Sequence, residues 1–253
     1  MKKLFLFAVM LVSSFAASAQ NFQVHYDFGE ALYDELGSRH GLTTTMEMYK
    51  PDKYGATFGF IDLNYKRDGA TAAYMEIFRE ISLMDNNKFA AHFEYNGGLA
   101  SSDFFGDHGY TFTGATRFQH AFMAGVAYNW HNSDFSKTWS LILEYKYYMS
   151  QKKYHNGAFS GFQATTTWGI NFSDGMFSFL GFADVWYDQR VNGNWIFVSQ
   201  PQFWFNLNKL EGMKDFNLSI GTEVELSNNF IWNDEGKNNK FYAIPTLGAK
   251  WTF

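Results

Sequence analysis

The chain has 253 residues, 21% of them aromatic, with 22 glycines, three prolines, no cysteine and a formal net charge of −5. That aromatic content excludes a disordered chain, whose low hydrophobicity cannot offset the entropy of ordering. The lack of cysteine excludes a disulfide scaffold, a thiolate metal site, a cysteine nucleophile and a lipidated cysteine.

Residues 1–19 read as an export signal. Lys2 and Lys3 form a basic start, Leu4–Val12 an apolar core, and Ala17-Ser18-Ala19 a small-x-small cleavage site. The mature chain is then expected to begin at Gln20. An N-terminal anchor is the alternative, but the stretch is shorter than the ~20 apolar residues of a spanning helix. Loss of Lys2 and Lys3 moves the net charge from −5 to −7. No basic stripe remains to neutralise phosphates, which excludes a nucleic-acid polymer as partner.

Beyond residue 20 the recurring pattern has period two. Trp139, Leu141, Leu143, Tyr145, Tyr147 and Met149 alternate with Ser140, Ile142, Glu144, Lys146 and Tyr148. Phe162–Phe172 and Phe216–Leu226 alternate in the same way, each a strand with one apolar and one polar face. In chain order the segments fall at 21–29, 42–49, 54–66, 71–81, 88–99, 115–130, 136–150, 158–172, 176–188, 194–207, 215–227 and 240–253. The connections after the second, fourth, sixth, eighth and tenth are short: Lys50–Lys53, Met84–Asn87, His131–Phe135, Ser173–Gly175 and Asn208–Lys214. Three of the others, 30–41, 100–114 and 228–239, are longer. Such alternation of connection lengths, with an even strand number, predicts a 12-stranded antiparallel transmembrane β-barrel of the outer membrane, one domain over 20–253.

A secreted sandwich or soluble barrel also alternates. Three features favour the membrane form. Many segments exceed twelve residues, against the five or six usual in soluble domains. Aromatics crowd strand ends on the apolar face, as with Tyr128 and Trp130, Tyr145 and Tyr147, Phe203 and Phe205. The polar face carries Glu94, Glu144, Asp184, Glu223 and Lys250 in mid-strand, which a dry core does not tolerate unpaired. Terminal alternation ending at Phe253 resembles the assembly signal of outer-membrane proteins, so the barrel-assembly machinery and outer-membrane lipid with lipopolysaccharide are expected partners.

No enzyme signature is present: no Gly-x-Ser-x-Gly elbow, phosphate loop, HExxH or zinc-type spacing, and the seven histidines are scattered. No catalytic residue, cofactor or metal is therefore expected. Asp103, Asp107 and His108 could form a rim hydrolase site or hold a divalent cation, although a solvated loop is the plainer reading.

Asn21-Phe-Gln-Val-His-Tyr-Asp-Phe-Gly29, Thr45-Met-Glu47, Lys50-Pro-Asp-Lys-Tyr-Gly55, Thr57-Phe-Gly-Phe-Ile-Asp62 and Tyr74-Met-Glu76-Ile resemble the Tsx-type nucleoside-specific channel family and its Bacteroidetes-like relatives. The ending Ile244-Pro-Thr-Leu-Gly-Ala-Lys-Trp-Thr-Phe253 fits the same pattern. The resemblance implies a twelve-stranded barrel in a Gram-negative outer membrane, with a narrow pore that passes nucleosides.

The residues give their own account of the pore. If the more uniformly apolar face meets lipid, Gln23, His25 and Asp27, then Thr45 and Glu47, then Phe58, Phe60, Asp62 and Asn64 face the lumen. Tyr74, Glu76 and Phe78, then His92, Glu94 and Asn96, then Phe182, Asp184, Trp186, Trp204 and Tyr242 join them. Of these, the expected substrate-binding residues are His25, Asp27, Glu47, Phe58, Phe60, Asp62, Tyr74, Glu76, Phe78, Glu94, Asp184 and Trp186. Aromatic faces suit a stacked base and carboxylates suit ribose hydroxyls. Two alternatives stay open. In one the rings simply pack the lumen; in the other the carboxylates form a structural network with Lys146, Lys250 and Arg79, whose own facing the pattern leaves open. The opposite register would put Phe58 and Phe60 into lipid.

Overall fold

The computed structural model describes residues 19–67, 69–84, 88–100, 116–150, 157–188 and 193–253, with only the backbone at 19, 116 and 117. The expected export segment lies outside them up to residue 18. So do Asp103, Asp107 and His108.

Twelve strands follow in order: β1 (Ala19–Asp27), β2 (Leu42–Asp52), β3 (Gly55–Lys66), β4 (Gly69–Ser82), β5 (Phe89–Ala100), β6 (Ala121–His131), β7 (Lys137–Tyr148), β8 (Phe159–Phe172), β9 (Phe177–Tyr187), β10 (Trp195–Ser199 and Gln202–Asn206), β11 (Leu218–Asn228) and β12 (Phe241–Thr252). Each pairs antiparallel with its sequence neighbour, and β1 pairs with β12 from Asn21↔Thr252 to Asp27↔Thr246. The ring is closed, so among the described residues no strand edge is left to pair with another chain. Among the described residues no helix is long and apolar enough to cross a membrane; the strands are what can.

The boundaries depart from those predicted at three places. Lys50, Pro51 and Asp52, expected in a turn, stay in the ladder opposite Thr57, Ala56 and Gly55, and the turn is Lys53-Tyr54 alone. A Cβ at Gly55 would lie 2.2 Å from the Glu80 carbonyl oxygen, so only glycine fits where β3 leaves that turn. The tenth segment breaks at Gln200-Pro201, because proline has no N–H for the ladder. The sixth begins at Ala121; ahead of it, Thr116–Arg117 pairs with the end of β5 as a separate two-residue piece.

Side-chain facing follows from the ladder, since directly paired residues share a face. Along β7, Leu141, Leu143, Tyr145 and Tyr147 are exposed while Ile142, Glu144, Lys146 and Tyr148 are buried. The exposed face carries Ile61, Ile77, Phe93, Val126, Phe162 and Leu247. Trp130, Trp139 and Trp168 are cross-strand partners on this face near the end that holds the termini, beside Phe172, Phe177, Phe203 and Phe205. An apolar belt with an aromatic girdle and a polar interior is what a bilayer selects, because lipid cannot satisfy polar groups.

Loop lengths separate the two ends only in part. The end with both termini has the turns at 53–54, 132–136 and 173–176 but also the longer connection 207–217, whereas the other end has the ordered long connections 28–41 and 229–240 but joins β3 to β4 through two residues. The first of these carries α1 (Gly29–Leu32), too short to be a helix of its own, and a 3-10 turn over Asp34–Leu36.

Candidate functional site

The polar inner face is the candidate site. All twelve expected pore residues lie on it, because Asp62↔Tyr74, Phe60↔Glu76 and Phe58↔Phe78↔Glu94 are ladder partners. Thr45↔Asp62 and Gln23↔Thr45 connect this rung set to β1. Phe58 and Phe60 therefore face the lumen, not lipid.

Seven of the twelve form one wall across β3, β4 and β5. Phe58 stacks on Phe78 with ring centres 5.2 Å apart, and Phe60 lies 6.1 Å from Phe58 and 6.2 Å from Tyr74. These rings are half-buried, so each keeps surface toward the lumen. The carboxylates are interleaved with them and held by neighbours. Thr45 donates to Asp62 (2.5 Å), while Tyr74 (2.6 Å) and Asn96 (3.1 Å) donate to Glu76.

The other five have different settings. Asn21 donates to Glu47 (2.9 Å). His25 is buried between Thr246 and Gln23, at 2.9 Å from each, with its ring edge-on to Trp204. Trp204 lies over Gly221 and Gly248, where a Cβ would come within 2.6 Å and 2.9 Å of the indole. Asp184 is half-buried on β9. Trp186 packs with Ile196, Val198 and Phe182 under the Lys146 ammonium, 5.0 Å from its ring.

Asp27 anchors a loop. Arg39 donates to Asp27 through Nε (3.0 Å) and to Glu225 of β11 through a terminal nitrogen (2.9 Å), its side chain only 10% exposed. Burial alone would lower the Arg39 pKa, but Glu225 and Asp27 outweigh it and raise it. The same loop buries Leu36 against Tyr242 and Ile244, which share the lumenal face with Ser227 and Glu225. Ser38 and the backbone of Glu35 bind Asp234, and Lys240 donates to Glu35 and holds its carboxyl below the usual range. Residues 28–41 thus fold back onto the inner face of β11, β12 and β1 and narrow that mouth. Sequence reading missed this device: Arg39 is one charge in a polar loop, and its partners lie 12 and 186 positions away.

Of the three cations in the alternative network, Lys146 and Lys250 lie inside, where Lys146 donates to Gln163 (2.7 Å) and Lys250 lies 4.4 Å over the Trp204 ring. Arg79 pairs with Thr57 and Phe93 on the outer face and forks onto Asp52 at 2.8 and 2.9 Å. It belongs to the membrane interface, where a long side chain reaches the polar boundary.

A further cluster joins residues that the sequence does not bring together. His92 is fully buried, with Nδ1 3.3 Å from Glu80 and Nε2 3.2 Å from both Glu94 and Glu144. His92, Gly125 and Glu144 occupy one rung. Because Gly125 has no side chain, His92 reaches Glu144 across β6; a Cβ there would lie 2.0 Å from the Leu143 carbonyl oxygen.

A closed antiparallel ring, apolar outside and polar inside, defines the architecture of the outer-membrane barrels. Residues 19–253 match the family described as Domain of unknown function (DUF5020), and the chain belongs to that family. Among solved structures it is similar to the NanC porin, with a TM-score of 0.55 at 9% identity over 93% of this chain and 100% of that one. It is also similar to the KdgM porin (TM-score 0.48, 7% identity, 93% and 99% covered) and to LpxR from Salmonella typhimurium (0.48, 8%, 93% and 100%). At these identities the likeness concerns the fold. Comparison with curated protein sequences gives no match.

Proposed function

We propose that the protein is an outer-membrane channel for the diffusion of nucleosides or similar small uncharged solutes. The observation that carries this reading is the wall of Phe58, Phe60, Phe78 and Tyr74 interleaved with Asp62, Glu76 and Glu94. Stacking on an aromatic face contributes ~1–3 kcal/mol per base and tolerates every base. Carboxylates accept the ribose hydroxyls. The same carboxylates repel a phosphate, so a nucleoside is favoured over its nucleotide. The short Tsx-type anchors support the same substrate class, and the porin-like fold supports the channel role.

In this reading the apolar belt meets outer-membrane lipid and lipopolysaccharide. Phe253 addresses the barrel-assembly machinery. Deleting Phe253 is expected to slow assembly, seen as a persistent heat-unmodified fraction on gels, more than Thr252→Ala does. Equal rates for the two variants would remove that role.

Vesicles carrying the purified barrel should admit adenosine at least ~10-fold faster than adenosine 5′-monophosphate, since ~1.4 kcal/mol of repulsion on the phosphate is already a factor of ten. Equal entry of the two would sink the selectivity. A structural or adhesive barrel is the second reading, favoured by the loop that Arg39 pins into the mouth. Absence of any flux in protein shown to be folded would establish it.

A further inference from the structure

The geometry points to a zinc-type divalent cation site in the wall, formed by His92 Nε2, Glu94 and Glu144. It shares Glu94 with the proposed solute wall, and its test reads metal uptake and not solute flux.

The three ligand atoms lie within 4.8 Å of one another. His92 Nε2 is 3.2 Å from each carboxylate oxygen. Zinc bonds of ~2.0–2.1 Å to nitrogen and oxygen place neighbouring tetrahedral ligands roughly 3.3 Å apart. The two distances from His92 Nε2 thus match two edges of a coordination shell, and the third, between the carboxylates, is at most 4.8 Å.

The second observation is Glu144 itself. It is 3% exposed, and neither carboxylate oxygen receives a hydrogen bond among the described residues. A buried carboxylate without donors carries a heavy desolvation cost, which a cation at this point removes. Lys146, two positions along the same strand, is engaged with Gln163 and the rings of Tyr148 and Trp186. An imidazolium at His92 would still leave three carboxylates, Glu80, Glu94 and Glu144, around one positive charge.

The outer partners match as well. A metal-bound histidine commonly gives its other N–H to a carboxylate, which fixes the ring and its tautomer. Here Glu80 lies 3.3 Å from His92 Nδ1, and Asn129 donates to the other Glu80 oxygen (2.8 Å). The Phe78 ring, 4.7 Å from the imidazole, covers it on the lumenal wall. Three protein ligands leave the fourth position open to water, and the ion would tie β5 to β7 across Gly125.

The test is calorimetric titration of Zn2+ into the purified, chelator-treated barrel. One equivalent is expected to bind, with Glu144→Gln and His92→Gln each weakening it at least ~100-fold. Glu80→Gln should weaken it roughly 10- to 100-fold, as loss of an outer carboxylate does. Glu144→Gln keeps the side-chain shape, so it remains decisive if His92→Gln fails to assemble. No uptake by the parent barrel, or unchanged affinity in folded Glu144→Gln, overturns the assignment.

Discussion

Arg39→Ala is expected to release the loop over 28–41 and widen the mouth. The guanidinium is the shared partner of Asp27 and Glu225, whose side chains are only 6% and 10% exposed. Removing it leaves two carboxylates facing each other with no cation between them. Breaking a buried ion pair on one side typically costs about 3–5 kcal/mol. Burial of Leu36 contributes only ~1.5–3 kcal/mol, and the ties of Ser38 to Asp234 and of Lys240 to Glu35 are exposed and weak, so loss of the clasp outweighs what remains. Undocking relieves the repulsion by letting water reach both carboxylates. Single-channel conductance should rise and the loop should become a protease site, while the barrel itself stays heat-modifiable. Arg39→Lys should fall between the two, because an ammonium cannot fork onto both acids. Unchanged conductance and unchanged cleavage in Arg39→Ala would show that the loop does not limit the pore.

Replacing Phe58 and Phe60 together by alanine should weaken nucleoside block strongly. Both rings sit at alternate positions of β3, so both meet the same passing base. Loss of a stacking partner removes about 1–3 kcal/mol, or roughly 5- to 150-fold in the blocking concentration. Ion conductance should hold or increase, since two large side chains leave the wall. Phe78 then loses its stacked neighbour, so assembly is checked by heat-modifiability before block is measured. Asp62→Asn should act differently, shifting ion preference more than nucleoside affinity. Unchanged block in correctly folded double-variant channels would take this pair out of the pathway.

The barrel was legible because lipid and lumen impose opposite chemistry on alternate residues, as β7 shows along its whole length. The facing of β3 and β4 stayed open, because Phe58 and Phe60 make one face of β3 as apolar as Ile61 and Leu63 make the other; the ladder sets Asp62 and Glu76 inward. Local chemistry misled where its cause was non-local. Pro51 and Asp52 look like a turn, yet the ladder runs past them to a two-residue hairpin. Arg79 had no facing that its neighbours decide, and the register sets it outside beside Asp52.

The site was legible only strand by strand. His92 and Glu94 are two apart on β5 and plainly share a face, and Glu144 is a polar-face charge of β7. That the three meet depends on the relative shift of β5, β6 and β7, which no local pattern fixes. The one available signal was Gly125, a residue with no side chain at an inward position of β6. The Arg39 clasp left no signal of that kind, since a loop arginine carries no periodicity.

The central claim is that the lumen conducts and that its aromatic, acidic wall binds nucleosides in transit. Single-channel recording of the purified barrel in a planar bilayer, with adenosine titrated in, tests it most directly. The account predicts a cation-preferring current that adenosine blocks in a saturable manner, and that adenosine 5′-monophosphate leaves largely intact. A current indifferent to adenosine, or no current from folded protein, would contradict it.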